Sequence, residues 1–387
     1  MSRPLSARQW VLKIIRALIG LVLLAIGYLG LFTIAALFAH YPLHSSPPLS
    51  PAKSWQPRGA YHLHSTNSDG RGTPSQIAHA AKQAGLQFIV MTDHNLRTLS
   101  APTYEEGVLV ISGVELSTRA GHLVALGTPR GLSKAELVGD PVQRVTDLDG
   151  FSFLAHPVQR RRPWTDDRSA VRATGMELYS ADSLFREAQR RPFSVLGPAL
   201  GAYLSNPMHA LMILVQPNPD ATAKLLELSS RSPKVALCAQ DAHGFPPYLL
   251  EFQAFSMYLP QHPELANGWP ANPAEAARAV VADLSRGAAY CGFDALADAS
   301  GFSIEGLQAD RREARVDDRL RVHLPPSAPS DAAVRVWGPA RVEQDGRTVA
   351  LDKPGPVHLE IWVRAPGRFF GSEWKPWIVP SPMLIRP

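Results

Sequence analysis

Histidine and carboxylate side chains recur beside short apolar runs along this 387-residue chain. Imidazole and carboxylate groups hold zinc, manganese and iron, and a carboxylate that bridges two ions lets both act on one water molecule. The candidate ligands are His62, His64, Asp69, His94, Glu115, His122, His156, Asp241 and His243, with Asp93 directly before His94. Their types and positions predict a site for more than one metal ion and therefore metal-assisted hydrolysis.

Two pairs of these residues are spaced two residues apart. Residues i and i+2 of a β-strand point to the same face, so His62 and His64 are expected to face one ion. Asp241 and His243 repeat this spacing after another apolar run. Asp69 lies in a Ser-Asp-Gly turn that can bring its carboxylate back over the end of the first strand.

The segment 59–297 alternates strand-like apolar runs with helix-like stretches at 73–84, 183–190, 209–228 and 273–286. Such alternation predicts an α/β fold with a mostly parallel sheet. Most candidate ligands follow an apolar run directly. Barrels and open α/β folds build their active sites at the carboxyl ends of their strands, so we expect the ligands to meet there.

The N-terminal region predicts a membrane anchor. Residues 17–39 carry no charged side chain, and a helix of this length can cross a bilayer. The preceding segment 1–16 is basic and should stay in the cytoplasm. We therefore predict a single-pass protein of the inner (cytoplasmic) membrane with its catalytic domain on the periplasmic side. A cleaved signal peptide and a buried core helix are the alternatives, and the Pro- and Ser-rich segment 40–58 is predicted to be a linker.

The segment 298–387 has a different pattern. Its apolar residues alternate in period two between Pro, Gly and Asp turns, which predicts a small antiparallel β-sandwich with a packing or recognition role. The net charge of +5 is modest, and basic residues form no stripe interleaved with aromatic side chains, so we expect no nucleic-acid partner. Cys238 and Cys291 could form one disulfide bond, but two buried thiols in strands are the favoured interpretation.

The order of the motifs resembles the polymerase and histidinol phosphatase (PHP) family of metal-dependent phosphoesterases. Within about 60–293 the matching segments are HLHSTNSDG, TDHN, GVELST with GHLVALG, LAHP and QDAH. The resemblance implies a distorted (β/α)7 barrel. The C-terminal β-region ending in PWIVPSPMLIR is similar, more specifically, to the carbaryl-hydrolase-like (CehA/McbA) branch of that family.

The resemblance also implies a trinuclear site with two to three divalent ions of zinc, manganese or iron. The first ion would be held by His62, His64, Glu115 and Asp241. Glu115 would bridge to a second ion, completed by His156 and His122, although His122 alone could instead be a buried, hydrogen-bonded histidine. The third ion would be held by Asp69, His94 and His243.

Catalytic roles are expected for Asp93, Glu115 and Asp241, with Asp93 orienting an imidazole. Arg97 and Arg160 are candidates for gripping a phosphate, as are Arg161 and Arg162, with a solvated basic loop as the alternative.

The expected activity is hydrolysis of a small phosphomonoester or phosphodiester by hydroxide generated at the metal ions. Hydrolysis of a carboxylic ester, amide or carbamate is the first alternative, because metal-activated water also attacks carbonyl groups. A non-catalytic envelope protein that binds ligand on a degenerate barrel is the second.

Overall fold

Continuous apolar runs such as FIVM and VALCA form strands that are buried along their whole length, as strands covered on both faces should be. The computed structural model describes residues 6–42, 55–261, 268–307 and 312–387. Most of the predicted linker and the first five residues of the basic segment lie outside the described residues.

Ten helices are present among the described residues: α1 (Ala7–Ala36), α2 (Pro74–Gln83), α3 (Pro141–Thr146), α4 (Asp167–Ala170), α5 (Ala181–Ala188), α6 (Gly197–Tyr203), α7 (Pro207–Leu214), α8 (Pro219–Leu228), α9 (Tyr248–Ala254) and α10 (Pro273–Arg286). A π-helical turn, Pro192–Leu196, leads directly into α6.

The strands before residue 300 are β1 (Arg58–Leu63), β2 (Phe88–Met91), β3 (Thr103–Glu105), β4 (Val108–Ser112), β5 (Val114–Ser117), β6 (His122–Leu126), β7 (Phe151–Ala155), β8 (Gly175–Ser180), β9 (Val235–Ala239), β10 (Ser256–Tyr258) and β11 (Tyr290–Gly292). Those after it are β12 (Ser303–Glu305), β13 (Glu313–Arg315), β14 (Arg319–His323), β15 (Ala333–Trp337), β16 (Ala340–Val342), β17 (Thr348–Leu351), β18 (Gly355–Pro366), β19 (Ser372–Pro380) and β20 (Met383–Arg386).

Two large sheets carry the candidate ligands. The first has 11 strands in the order β13-β20-β18-β19-β11-β10-β1-β2-β4-β3, with β15 paired to β18. The second has five strands in the order β5-β6-β7-β8-β9. Strands β1, β2 and β4 run parallel to one another, as do β7, β8 and β9, so the structure is of mixed α/β type. The expected mostly parallel sheet is not found, because most strand pairs of the first sheet are antiparallel.

The two sheets meet at two seams beside the ligands. At one seam Leu63 forms a parallel bridge with Ala242, and at the other His94 forms one with Glu115. The closed (β/α)7 barrel implied by the family resemblance is not confirmed, because single bridges, and not continuous strand pairing, join the sheets.

A separate C-terminal sandwich is not confirmed either. Strand β19 pairs with β11 through Cys291 and Val379, so the C-terminal strands extend the sheet that contains β1 and β2. The smaller sheet, β12-β14-β17-β16, stands apart from this pairing. No break in the first sheet therefore coincides with the predicted boundary at residues 297 and 298.

Local sequence explains where the helices differ from their predicted bounds. Thr73 caps α2 and exchanges hydrogen bonds with Gln76, so the helix proper begins one residue later. The stretch 209–228 is two helices, because Pro217 and Pro219 lack the N–H groups that a continuous helix would need. Asn218 caps the second helix, α8.

Helix α1 has the length and apolarity needed to cross a membrane, and a signal sequence would meet the same criteria. Only 6% of its most apolar window is buried, unlike the core helix of a soluble protein. Its last turns pack on α6, where a Cβ at Gly197 would lie 2.7 Å from Tyr28 and one at Gly201 would lie 2.6 Å from Leu29. The G-x-x-x-G spacing thus lets the two helices approach closely.

Cys238 and Cys291 form a disulfide bond, so the preference for two free buried thiols was wrong. The sequence could not distinguish a disulfide bond from two free thiols, because the distance between these cysteines depends on how two different sheets pack in the folded protein. Cys238 lies on β9 of the five-stranded sheet, and Cys291 lies on β11 of the large sheet. The bond therefore joins the two sheets that share the candidate site.

Replacing Cys238 and Cys291 together by alanine should lower the free energy of unfolding by about 3 kcal/mol, because the bond closes a long loop in the unfolded chain. The two residues are separated by 53 positions. Denaturant unfolding with and without reductant measures the effect. Reductant should destabilise the wild type and leave the double variant unchanged, and equal wild-type stability in both conditions would contradict the prediction.

Candidate metal centre

Three of the candidate ligands, at or near the ends of strands, have an unusual backbone conformation. His62, Asp241 and His156 have φ values of 68°, 48° and 34°, in the left-handed region that non-glycine residues rarely adopt. At His62 the pairing of β1 with β2 also shifts register between Tyr61 and Leu63. Such strain costs about 1–3 kcal/mol per residue and concentrates at functional sites.

His62 and His64 do converge, but regular strand alternation is not the cause. The register shift turns His62 out of the regular pleat, and His64 follows the last residue of β1. The two Nε2 atoms lie 3.1 Å apart in the interior. Strand β6 runs antiparallel to β5 and β7, so its first residue, His122, reaches the same edge.

The buried carboxylate of Glu115 is the centre of the cluster. One of its oxygens, Oε2, lies 3.1 Å from His62 Nε2, 3.2 Å from His64 Nε2 and 3.1 Å from His94 Nδ1. The other, Oε1, lies 2.7 Å from His122 Nδ1 and 3.3 Å from His156 Nε2. A carboxylate with imidazoles on both oxygens is suited to bridging two ions.

His62, His64, Glu115 and Asp241 fit a tetrahedral ion. With metal–ligand bonds of about 2.0–2.1 Å, neighbouring ligand atoms should lie about 3.3 Å apart. The His62 Nε2 atom lies 3.1 Å from both His64 Nε2 and Glu115 Oε2, and His64 Nε2 lies 3.2 Å from Glu115 Oε2. Asp241 Oδ1 lies 3.5 Å from His62 Nε2 and 3.3 Å from His64 Nε2. These four residues are the predicted ligands of the first ion, and all four are buried.

Two more groups have metal-binding geometry. One consists of His64, Asp69, His94 and His243, in which three imidazole nitrogens lie 3.5–3.7 Å from the Asp69 carboxylate. The other consists of His94, Glu115 and His122.

The shared histidines distinguish this arrangement from the predicted grouping. His64 and His94 each face two groups, whereas the prediction gave each of them to one ion. His156 approaches only Glu115 among the predicted ligands of the second ion. Its Nδ1 is buried without a hydrogen-bond partner in the described part of the chain, and His94 Nδ1, although 3.1 Å from Glu115 Oε2, makes no hydrogen bond of good geometry there.

Sequence reasoning missed Glu177 on β8. Its Oε1 lies 2.6 Å from His62 Nδ1, and its Oε2 accepts a 2.8 Å hydrogen bond from the backbone N–H of His156. A Nδ1–H donated to Glu177 leaves the lone pair of His62 on Nε2, facing the tetrahedral group. The available signal was a carboxylate inside the buried run GMELYS, where an unpaired charge would be costly.

Asp93 was expected to orient an imidazole, but its carboxylate holds a loop. Oδ1 accepts hydrogen bonds from the Ser65 N–H at 2.6 Å and the Ser68 hydroxyl at 2.7 Å, and Oδ2 accepts one from the Ser65 hydroxyl at 2.8 Å. The loop that carries Asp69 is thereby fixed to the end of β2. In the described structure, Glu177 makes the contact to an imidazole that was predicted for Asp93.

The pKa values of the ligands are shifted in the direction that favours positive charge on the histidines and negative charge on the carboxylates. Burial lowers the pKa of His62, but the carboxylates of Glu177, Glu115 and Asp241 outweigh it and raise that pKa well above the ordinary value. Burial also lowers the pKa of His64, yet hydrogen bonds to Asp241 and Glu115 raise it to about 9. Burial raises the pKa of Glu115, whereas the charge of His62 holds it well below its usual range.

The pKa shifts show that the buried carboxylates favour positive charge at this site, which bound cations would supply. Divalent ions held by these same residues would replace the protons, because metal ligands must be deprotonated. The donor set, the ligand spacing and the buried Nδ1 atoms therefore all fit a metal centre.

A cleft of about 130 Å³ opens over the cluster. Besides the ligands it is lined by Gln159, Arg161, Arg162, Asp182 and Arg186. Of the four candidates for gripping a phosphate, Arg161 and Arg162 line this cleft, Arg160 lines a neighbouring groove, and Arg97 is exposed outside the lining. Arg186, which sequence reasoning also missed, is paired with Asp182 one helical turn earlier on α5.

No protein-family model matches the sequence. An uncharacterized protein of Methanocaldococcus jannaschii is 29% identical over 92 residues, which cover 22% of this chain and 52% of that protein. The present chain thus spans about half the length of that curated relative.

Two solved structures show weak similarity. A two-domain Bacteroides vulgatus protein containing a predicted PHP-like metal-dependent phosphoesterase has 14% identity and a TM-score of 0.41, covering 88% of this chain and 99% of that one. A Chromobacterium violaceum amidohydrolase has 14% identity and a TM-score of 0.29, covering 48% and 87%. TM-scores below 0.5 do not establish the fold or the activity, and the carbaryl-hydrolase-like branch stays a prediction.

Replacing Glu177 by glutamine should weaken zinc binding by about 10- to 100-fold, because the carboxylate that fixes the His62 ring is lost while the ligands stay. Competition with a chromophoric chelator measures the affinity. Glu227→Gln, an exposed change on α8, is the matched control and should bind as the wild type does. Wild-type affinity in the Glu177→Gln protein would show that the contact does not orient a ligand.

The metal-free protein should lose stability as the pH rises from about 6.5 to 9. The folded pKa of His64 is about 9, against an ordinary value of 6.5. In this window the folded state binds more protons than the unfolded state, so the stabilisation disappears as His64 deprotonates. Zinc-loaded protein should show the opposite slope, because its ligands bind as deprotonated groups.

Thermal unfolding after chelator treatment, repeated with zinc, tests this pH dependence. His64→Gln should flatten the slope of the metal-free protein, whereas a change at the exposed His323 should not. A metal-free protein whose melting temperature rises between pH 6.5 and 9 would refute the assignment of protons to the cluster.

Proposed function

We propose that this protein is a PHP-type metal-dependent phosphoesterase that hydrolyses a phosphomonoester or phosphodiester with two to three divalent ions. The observation that carries the proposal is the position of Glu115, whose two oxygens contact five imidazoles. Glu115 also belongs to the tetrahedral group formed with His62, His64 and Asp241. When bound, the ions would lower the pKa of water and neutralise charge on the phosphoryl oxygens. The motif order described above supports the same activity.

The protein's own residues would then hold and position the reacting groups. Arg161, Arg162 and Arg186 line the cleft together with the ligands, so their guanidinium groups would be available to phosphoryl oxygens bound there. Glu177 would keep His62 in one orientation, and Asp93 would keep the Ser65–Ser68 turn, and with it Asp69, at the rim.

We further propose that the catalytic part is exported and anchored by α1. The basic residues before the apolar stretch support this orientation. The disulfide between Cys238 and Cys291 supports it independently, because such bonds persist in oxidising compartments such as the bacterial periplasm.

A substrate panel tests the activity. The full-length protein, loaded with zinc, manganese or iron, should hydrolyse phosphoesters, and Glu115→Gln should reduce the rate at least 1,000-fold, on the order expected when a bridging ligand is lost. Glu227→Gln is the control and should keep the wild-type rate. Turnover in isotopically labelled water should place solvent oxygen in the product of a single turnover.

The same panel contains carboxylic esters, amides and carbamates. Exclusive hydrolysis of these compounds would establish the carbonyl-directed alternative. Metal binding without hydrolysis of any compound would favour the non-catalytic binding protein.

A further inference from the structure

An apolar cavity of about 320 Å³ opens beside the metal cleft. We call it the lateral cavity, and its apolar wall includes Leu184, Leu196, Ala199, Leu200, Tyr203 and Leu211. Asp69, Asp241 and His243 line both the lateral cavity and the metal cleft, so the two spaces are continuous at the metal ligands. A ligand bound across this junction would have a charged end and an apolar end.

Helix α6 and the turn before it separate the lateral cavity from α1. Leu196, Ala199, Leu200 and Tyr203 follow the i, i+3, i+4, i+7 spacing of one helical face, and this face forms the cavity wall. The opposite face carries the Gly197 and Gly201 contacts with α1. The cavity therefore lies directly behind the helix on which the apolar α1 packs.

Exposed apolar side chains lie on the cavity and along the helix that forms its wall: Leu200 and Phe245 line the cavity, whereas Leu204 and Phe193 lie outside its lining. Leu200 is 52% exposed, Phe245 65% and Leu204 74%, and Phe193, in the turn before α6, is 81% exposed. A soluble surface rarely gathers so many large apolar groups, and such patches mark contact with a membrane or a partner. The same elements hold the end of α1, so a membrane crossed by α1 would lie against this patch.

Basic residues complete the surface. A groove of about 720 Å³ next to the cavity is lined by Arg160, Arg161, Arg186, Arg190 and Arg191, against the acidic Glu187 and Asp220. Leu184 and Arg186 line both the groove and the lateral cavity. Arginines beside an apolar patch are suited to pairing with the phosphate groups of lipid headgroups.

From this arrangement we infer that the substrate is an amphiphilic phosphoester of the membrane. Its phosphoryl group occupies the metal cleft, and its hydrocarbon chain occupies the lateral cavity. The inference rests on the phosphoesterase function proposed above and adds the substrate class.

The test uses the full-length protein in lipid nanodiscs and two homologous series, n-alkyl phosphates and n-alkyl methyl phosphates, from ethyl to decyl. All are assayed below their critical micelle concentrations, so chain length reports binding to the protein. Each buried methylene should raise kcat/KM by about fourfold until the cavity is filled. Rates are referred to the free aqueous concentration of each compound, because longer chains partition more strongly into nanodisc lipid.

Two variants locate the effect. Leu200→Glu places a charge in the lining of the lateral cavity, and Ala199→Phe fills part of its volume, so both should flatten the dependence of kcat/KM on chain length. Leu204→Glu is the matched control, since Leu204 is an exposed leucine one turn further on, outside the cavity lining. It should keep the wild-type slope.

The outcomes separate this inference from the proposed function. Hydrolysis of ethyl phosphate with no dependence on chain length would overturn the inference and leave the phosphoesterase intact. A slope lost equally in Leu200→Glu and Leu204→Glu would also overturn it, because a general apolar surface would then explain the effect. Failure to hydrolyse any member of either series would refute the phosphoesterase itself.

Discussion

Burial of the Glu115 carboxylate is the constraint on which the architecture of this site depends. An ionised carboxylate in the interior is costly unless positive or hydrogen-bonding groups surround it. Five imidazoles supply that environment, and they come from β1, its adjoining loop, the end of β2, the start of β6 and the end of β7. Both sheets must therefore be correctly placed before this one charge is compensated. The strained backbone at His62, His156 and Asp241 is the local cost of that convergence.

The candidate ligands could be predicted from the sequence because their chemistry and their positions agree. Each one adjoins a strand-like run, and the parallel strands carry most of them to a common edge. The grouping of ligands could not be predicted, since His64 and His94 face two groups each, and only the folded geometry shows this sharing. Glu177 was missed because GMELYS resembles an ordinary core strand, and the cost of burying its single carboxylate was not considered.

The organisation of the sheets was harder to predict. A period-two pattern predicts a strand but not its partner, so the C-terminal strands were assigned to a sandwich of their own. The pairing of β19 with β11 joins β13, β15, β18, β19 and β20 to the sheet that carries His62, whereas the other C-terminal strands form a small sheet of their own. The α1 segment was recognisable from its length and lack of charge, whereas its packing on α6 depends on two glycines with no distinctive signal in isolation. Helix α6 consequently links a candidate membrane segment to the wall of the candidate site.

The Cys238–Cys291 bond has a consequence for when the protein becomes active. Cys238 lies three residues before Asp241 on the segment that delivers this carboxylate, and Cys291 tethers that segment to the neighbouring sheet. A chain that folds in the reducing cytoplasm lacks the tether, so we expect its ligand set to be assembled less firmly there. On the exported topology proposed above, firm assembly of the ligand set would follow formation of this bond outside the cytoplasm.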